Sequence, residues 1–211
     1  MRNQIVVSLY NEKVDWINKL EKLNKYEIYV YNKSKGCPKE IESRVREKKI
    51  IYEELENVGR ESHTYLYHIR KHWRTLGDKI FFTQAEPFDH IDPKNDNATN
   101  EFFFSLLDDF FNNDYDFKGY GKKHWVWHRG LSNKVEKMRT LWEELFETPL
   151  EEHEFNNGGI FGVKKDLILN RSKNFYDHCL KSLSYHKNPA EGFCFERMWV
   201  NIFNVDYKSK I

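Results

Sequence analysis

Apolar residues fall into two kinds of stretch along the chain. Some are short β-branched or aromatic runs, and others recur every three or four residues. Gln4 to Leu9 (QIVVSL) suits a buried strand, and Tyr26 to Tyr31 (YEIYVY) alternates as a second. Asn11 is placed to cap a helix with Val14, Ile17 and Leu20 or Leu23 on one face. Residues 40–48 are highly charged, as in a helical turn or loop, and Lys49 to Leu55 suits a third strand. A helix is predicted from about Arg60 to Leu76, burying Tyr65, Leu66, Ile69 and Trp73, and Lys79 to Gln84 is the next strand. Beyond it the pattern predicts helices over Glu101–Phe111 and Lys134–Phe146, a strand over Gly158–Val163, and helices near Lys165–Asn170, Lys173–Leu183 and Glu191–Phe203. Strand–helix alternation of this kind predicts an α/β fold: one domain with a central mixed, mostly parallel sheet flanked by helices. The ending "DYKSKI" has no tidy cap, which leaves a longer parent protein open.

Charge narrows the partners. Charged residues are 32% of the 211 but nearly cancel, leaving +1. That balance argues against bulk electrostatic binding to nucleic acid or an anionic membrane. No stretch approaches the roughly 20 apolar residues of a membrane span, and the N-terminus reads as a strand rather than a signal peptide. Three cysteines without a CxxC pair point to a reducing, cytoplasmic setting. Aromatics reach 16%, which fits a large core or surfaces that stack on sugar and base rings.

Candidate chemistry sits where strands end. After the first strand, Leu9 can offer backbone groups and Tyr10 a ring to a base, or Tyr10 is packing and Asn11 only a cap. In "ENVGRES" Gly59 permits a tight turn and Arg60 opens a helix, an arrangement that invites a phosphate or else a salt bridge with Glu56 or Glu61. "FFTQAEPFDH" delivers Gln84, Glu86 and Asp89 to a strand tip. The two carboxylates are hard donors suited to Mn²⁺ or Mg²⁺ with phosphate, or are loop residues. Gly158 in "NNGGIFG" lets a ligand approach the main chain, and Glu154 just before it is the leading general-base candidate. His186 and Lys187 lie in a loop able to close on a diphosphate, while Glu196 and Arg197 suit a buried pair. In "HWVWHRG" an extended chain puts Trp125 and Trp127 on one face, as for carbohydrate rings. His68 and His72 read as packing or surface residues.

"VVSLYNE", "NVGRE" and "IFFTQAE" together resemble nucleotide-sugar-dependent glycosyltransferases of the GT-A fold. More closely, "NVGRESHTYLYHI", "FFTQAEPFDH", "GGIFGVKKD" and "FERMW" resemble a fungal and viral glycosyltransferase-like family that includes capsid-glycan glycosyltransferases of chloroviruses. The resemblance implies a nucleotide-binding half over residues 1–90 and an acceptor-side half over 91–211. It implies a UDP-sugar donor, a glycan or glycoprotein acceptor, viral capsid-protein glycosylation in a host cytoplasm, and Mn²⁺ or Mg²⁺ as cofactor. By the same resemblance Tyr10 contacts the base, Asn32 its hydrogen-bonding edge, Arg60 the base or diphosphate, Gln84 the ribose and Glu86 the metal. The Asp-x-Asp motif has become Gln84-Ala85-Glu86, so Asp89 is the candidate for a second carboxylate. A non-catalytic carbohydrate-binding module and a phosphate-handling hydrolase or nucleotidyltransferase are the alternative classes.

Overall fold

β1 (Asn3–Leu9) is buried from Gln4 through to Leu9, which an apolar run without alternation requires of a strand covered on both faces. It pairs in parallel with β2 (Tyr26–Asn32) on one side and β4 (Lys79–Gln84) on the other, and β3 (Ile50–Glu54) extends β2. The computed structural model describes residues 2–20, 25–92, 97–126 and 133–211. Between the first strands lie α1 (Trp16–Lys19), α2 (Lys39–Arg46) and α3 (Arg60–Lys71). Then come α4 (Phe88–Ile91), α5 (Asn100–Asn112), β5 (Phe117–Gly119), β6 (Lys123–Val126), α6 (Asn133–Leu145) and β7 (His153–Asn156). A single 3-10 turn, Asn157–Gly159, leads into β8 (Phe161–Lys164), followed by α7 (Lys165–Leu169), α8 (Lys173–Leu183) and α9 (Ala190–Ile202).

The sheet order is β3-β2-β1-β4-β8-β5, and β8 runs antiparallel to both neighbours. The expected α/β class, with a mixed, mostly parallel sheet flanked by helices, is therefore what forms. Alternate residues divide the core in two. Val6, Tyr31, Ile80, Phe82 and Phe161 pack with residues of α3, α6, α8 and α9. Ile5, Val7, Val30 and Phe81 pack with Trp16, Ile41 and the phenylalanines of α5. β6 and β7 form a separate antiparallel ribbon whose inner residues, His153 and Phe155, lie against Arg197 of α9.

Three elements differ from the pattern by three residues or more at a boundary. The strand expected over Gly158–Val163 begins only at Phe161, because Gly158 and Gly159 are left-handed and belong to the 3-10 turn. α1 is a single turn, because Leu20 is already extended at ψ 104°. α3 stops at Lys71 rather than Leu76, since the chain must turn at Gly77 and Asp78, where the Asp78 N–H donates to the Arg2 carbonyl at 2.7 Å.

Candidate functional site

The parallel strands deliver their carboxyl ends to one edge, and the pairing continues one step past them. Lys33 N–H donates to Leu9 O (2.8 Å), Ala85 N–H to Ser8 O (2.9 Å) and Leu55 N–H to Asn32 O (2.8 Å). A cleft of about 530 Å³ opens above this edge. Its floor is Ser8, Leu9, Tyr10, Lys33 and Gln84, and its walls include Arg60 and Glu61 from the start of α3 and Lys187 and Asn188 from the loop before α9. Ligands of open α/β sheets bind at such carboxyl edges.

The start of α3 is strained. Gly59 (φ +64°) and Arg60 (φ +53°) both occupy the left-handed region, which costs a non-glycine residue about 1–2 kcal/mol. Gly59 has no alternative, because a Cβ there would stand 2.6 Å from the His63 Cβ. Two contacts hold the turn: Gly59 N–H donates to His186 O at 2.9 Å, and the Lys33 ammonium donates to the carbonyls of Val58 and Arg60. Lys33 is buried beneath the cleft, and burial, opposed by nearby Glu61, brings its pKa down to about 8. Glu61 is buried beside it, 3.5 Å from Arg60 Nε. Burial raises its pKa, with Arg60 pulling the other way and Glu196 adding to the rise.

Gly158 and Gly159 gather the far wall. Gln84 Nε2 donates to Gly158 O (2.6 Å), and Gly158 N–H donates to Glu196 Oε1 (2.7 Å), whose Oε2 pairs with Arg197 (3.1 Å). Gly158 is left-handed (φ +84°), and a Cβ on it would meet the His90 Cβ at 2.8 Å. The Glu61 Oε1 lies 3.8 Å from where a Cβ of Gly159 would be.

Of the residues singled out from sequence, Leu9, Tyr10, Arg60 and Gln84 line the cleft together, and Gly158 joins them through Gln84. His186 sits at its rim through its carbonyl, while Lys187 and Asn188 reach the lining. Asn32 does not. Its amide donates to Gly36 O (2.8 Å) and the Tyr52 hydroxyl (3.0 Å), and its carbonyl accepts from the N–H and hydroxyl of Ser34. All four hydrogen-bonding positions are used within the protein. Glu154 stands on the ribbon in an ion pair with Lys123 at 2.7 Å, outside the cleft lining. The Trp127 and His128 of "HWVWHRG" lie outside the described residues, as does the Trp125 side chain.

Glu86 and Asp89 are exposed and absent from the cleft lining, with Asp89 3.4 Å from His90 Nε2. Among the described residues no three His, Cys, Asp or Glu side chains converge where an ion could be held. Two exposed carboxylates outside the cleft lining, with no convergent third ligand among the described residues, do not fit the implied divalent cation. Ser8, Lys33 and Glu61 are among the cleft residues that sequence reasoning passed over as functional groups. Lys33 follows the last residue of a strand, and Glu61 follows Arg60, so adjacency to the motifs was the available signal.

The model of the family DUF3431, described as "Protein of unknown function", matches residues 5–210. The chain belongs to that family. No curated protein matches this DUF3431 chain. Among solved structures it is similar to S. aureus TarS, at 16% identity and TM-score 0.39, over 81% of this chain and 29% of that one. It is also similar to S. aureus TarS 1-349 in complex with UDP-GlcNAc (13% identity, TM-score 0.38, 81% of this chain and 47% of that one). A third is TarS 1-349 in complex with UDP (14% identity, TM-score 0.37, 86% and 54%). The chain thus spans under two thirds of the length of each of these structures. No helix among the described residues is long and apolar enough to cross a membrane.

Proposed function

We propose that the protein is a glycosyltransferase that moves a sugar from a UDP-sugar to a hydroxyl of a glycan or glycoprotein, capsid glycoproteins among them. The observation that carries this reading is the meeting of Leu9, Tyr10, Arg60 and Gln84 in one cleft at the sheet's carboxyl edge. These are residues that the family resemblance, or the strand-end pattern, assigns to base, diphosphate and ribose. Tyr10 is 46% exposed, so its ring is open to a base.

In the proposed reaction an acceptor oxygen attacks the anomeric carbon, and the bond from that carbon to the β-phosphate oxygen breaks. UDP leaves with the electron pair, and the acceptor proton passes to a carboxylate. We assign that role to Glu61, the carboxylate buried at the cleft, in preference to Glu154 in its exposed ion pair. A raised pKa suits a general base that works near neutral pH.

The experiment is UDP release from a panel of UDP-sugars with glycan acceptors, on wild type and Glu61→Gln. Removal of a general base lowers kcat by about 10²–10⁴. Donor binding without turnover on any donor defeats the transferase reading and leaves a binding module. A Glu61→Gln enzyme of unchanged kcat returns the base to Glu154.

A further inference from the structure

We propose that this cleft holds the diphosphate with Lys33, Arg60 and Lys187 in place of a divalent cation; the proposal rests on the nucleotide-sugar reading. Three cationic side chains line a cleft whose carboxylates are Glu12 and Glu61. Glu12 is engaged by the Tyr10 N–H at 2.7 Å, and Glu61 by Arg60. Meanwhile the metal-type carboxylates Glu86 and Asp89 lie outside the lining.

The three cations differ in a way that suits a two-phosphate ligand. Lys33 is anchored, two of its three ammonium donors going to the Val58 and Arg60 carbonyls. No third acceptor among the described residues takes the remaining one, and the residue lines the cleft floor. The same two bonds hold Arg60 in its left-handed conformation, with its side chain passing over Gly192, where a Cβ would meet the Arg60 Cδ at 3.5 Å. Arg60 offers a planar fork of donors at the N-terminus of α3, a twelve-residue helix whose dipole favours an anion. Lys187 is exposed on the loop between α8 and α9 and reaches the cleft lining from there. A buried cation fixed in advance does for a developing phosphate charge what a metal does, without reorganising when the charge forms.

The test is calorimetry on the full chain with UDP, inorganic pyrophosphate and uridine, each in EDTA and in Mn²⁺. UDP and pyrophosphate are expected to bind in EDTA, with Mn²⁺ changing Kd by less than about threefold. Arg60→Gln and Lys187→Ala should each weaken UDP about tenfold, the size of one charge-assisted hydrogen bond, and leave uridine unchanged. Lys33→Met should weaken UDP further; if it unfolds, the exposed Lys187→Ala still decides. UDP binding that requires Mn²⁺ overturns this inference and leaves the nucleotide-sugar reading intact. Pyrophosphate bound in EDTA as tightly as UDP defeats the nucleotide reading and keeps the cation site. No binding of either ligand in either condition defeats both.

Discussion

Two buried lysines stand at opposite edges of one sheet. Lys79 opens β4 at the amino edge and is 4% exposed; Lys33 follows β2 at the carboxyl edge and is 6% exposed. Each ammonium binds backbone carbonyls. Lys79 donates to Phe110 O (3.1 Å), Phe111 O (3.5 Å) and Asn113 O, so its three donors close the C-terminus of α5, where a cation belongs. Lys33 reaches only two carbonyls, at the N-terminus of α3, where the helix dipole repels it. Burial alone does not separate a structural charge from the working one proposed for Lys33. Counting donors against acceptors distinguishes the two lysines, and so does asking which end of a helix each charge faces.

The comparison can be broken by exchanging each lysine for methionine. In Lys33→Met the proposed transfer reaction should fall by about 10²–10³ in kcat/KM, as when a preorganised donor to a developing oxyanion is removed. Raising the pH through about 8 should act in the same direction on wild type, since Lys33, facing Glu61 and His63, loses its proton there. Next in size, Lys79→Met leaves the α5 carbonyls without their donor and should cost about 2–3 kcal/mol of stability. It should show as a lower urea midpoint at unchanged slope, with kcat/KM per folded molecule intact. If both variants lose activity alike, or both lose only stability, the distinction between the two lysines fails.

Two histidines of α3 repeat the contrast. His68 has partners for both ring nitrogens, the Tyr31 hydroxyl at 3.0 Å and Gln4 Oε1 at 3.4 Å. His63, beside Lys33, has none for Nδ1 among the described residues. Burial holds both below the usual imidazole range, His63 at about 4 with Lys33 adding to the shift, and His68 well below its ordinary value with His72 and Lys71 adding. The unfolded chain therefore binds protons that the folded one refuses once pH drops below about 6.5. Stability should fall from there toward pH 4, by at most about 1.4 kcal/mol per pH unit for His63, with His68 adding in the same sense and Glu61 acting in the opposite one. His63→Leu should make that slope shallower at little cost at pH 7, because it removes an unsatisfied buried nitrogen; melting curves between pH 7 and 4.5 measure it.

The strands and helices were legible because each carries its own periodicity. The predicted helices over Lys173–Leu183 and Glu191–Phe203 fall within a residue of α8 and α9. That tip residues such as Tyr10, Arg60 and Gln84 would meet in one cleft was legible because a polar group after an apolar run has few reasons to be there. Pairing was less so. Nothing local in "GGIFGV" says that β8 inserts antiparallel between β4 and β5, and the four residues of β7 carry no signal without β6 beside them. Asn32 shows a further limit. Its position at a strand end fits a ligand contact, yet three of its four bonds go to its own turn and the fourth to the Tyr52 hydroxyl of β3, which no local pattern announces. Lys33 and Glu61 were hidden for the reverse reason: a charged residue beside a charged motif reads as solvent-facing until burial is known.

The insertion of β8 sets an order of events during synthesis. β4 is complete once Gln84 has left the ribosome, yet the strand that covers its free edge begins only at Phe161. Throughout that interval the growing chain presents an unpaired strand bearing Phe81 and Phe82, an edge open to any other strand nearby. A nascent chain halted before Phe161 should therefore associate with its own copies or with chaperones, whereas one released after β8 closes that edge itself.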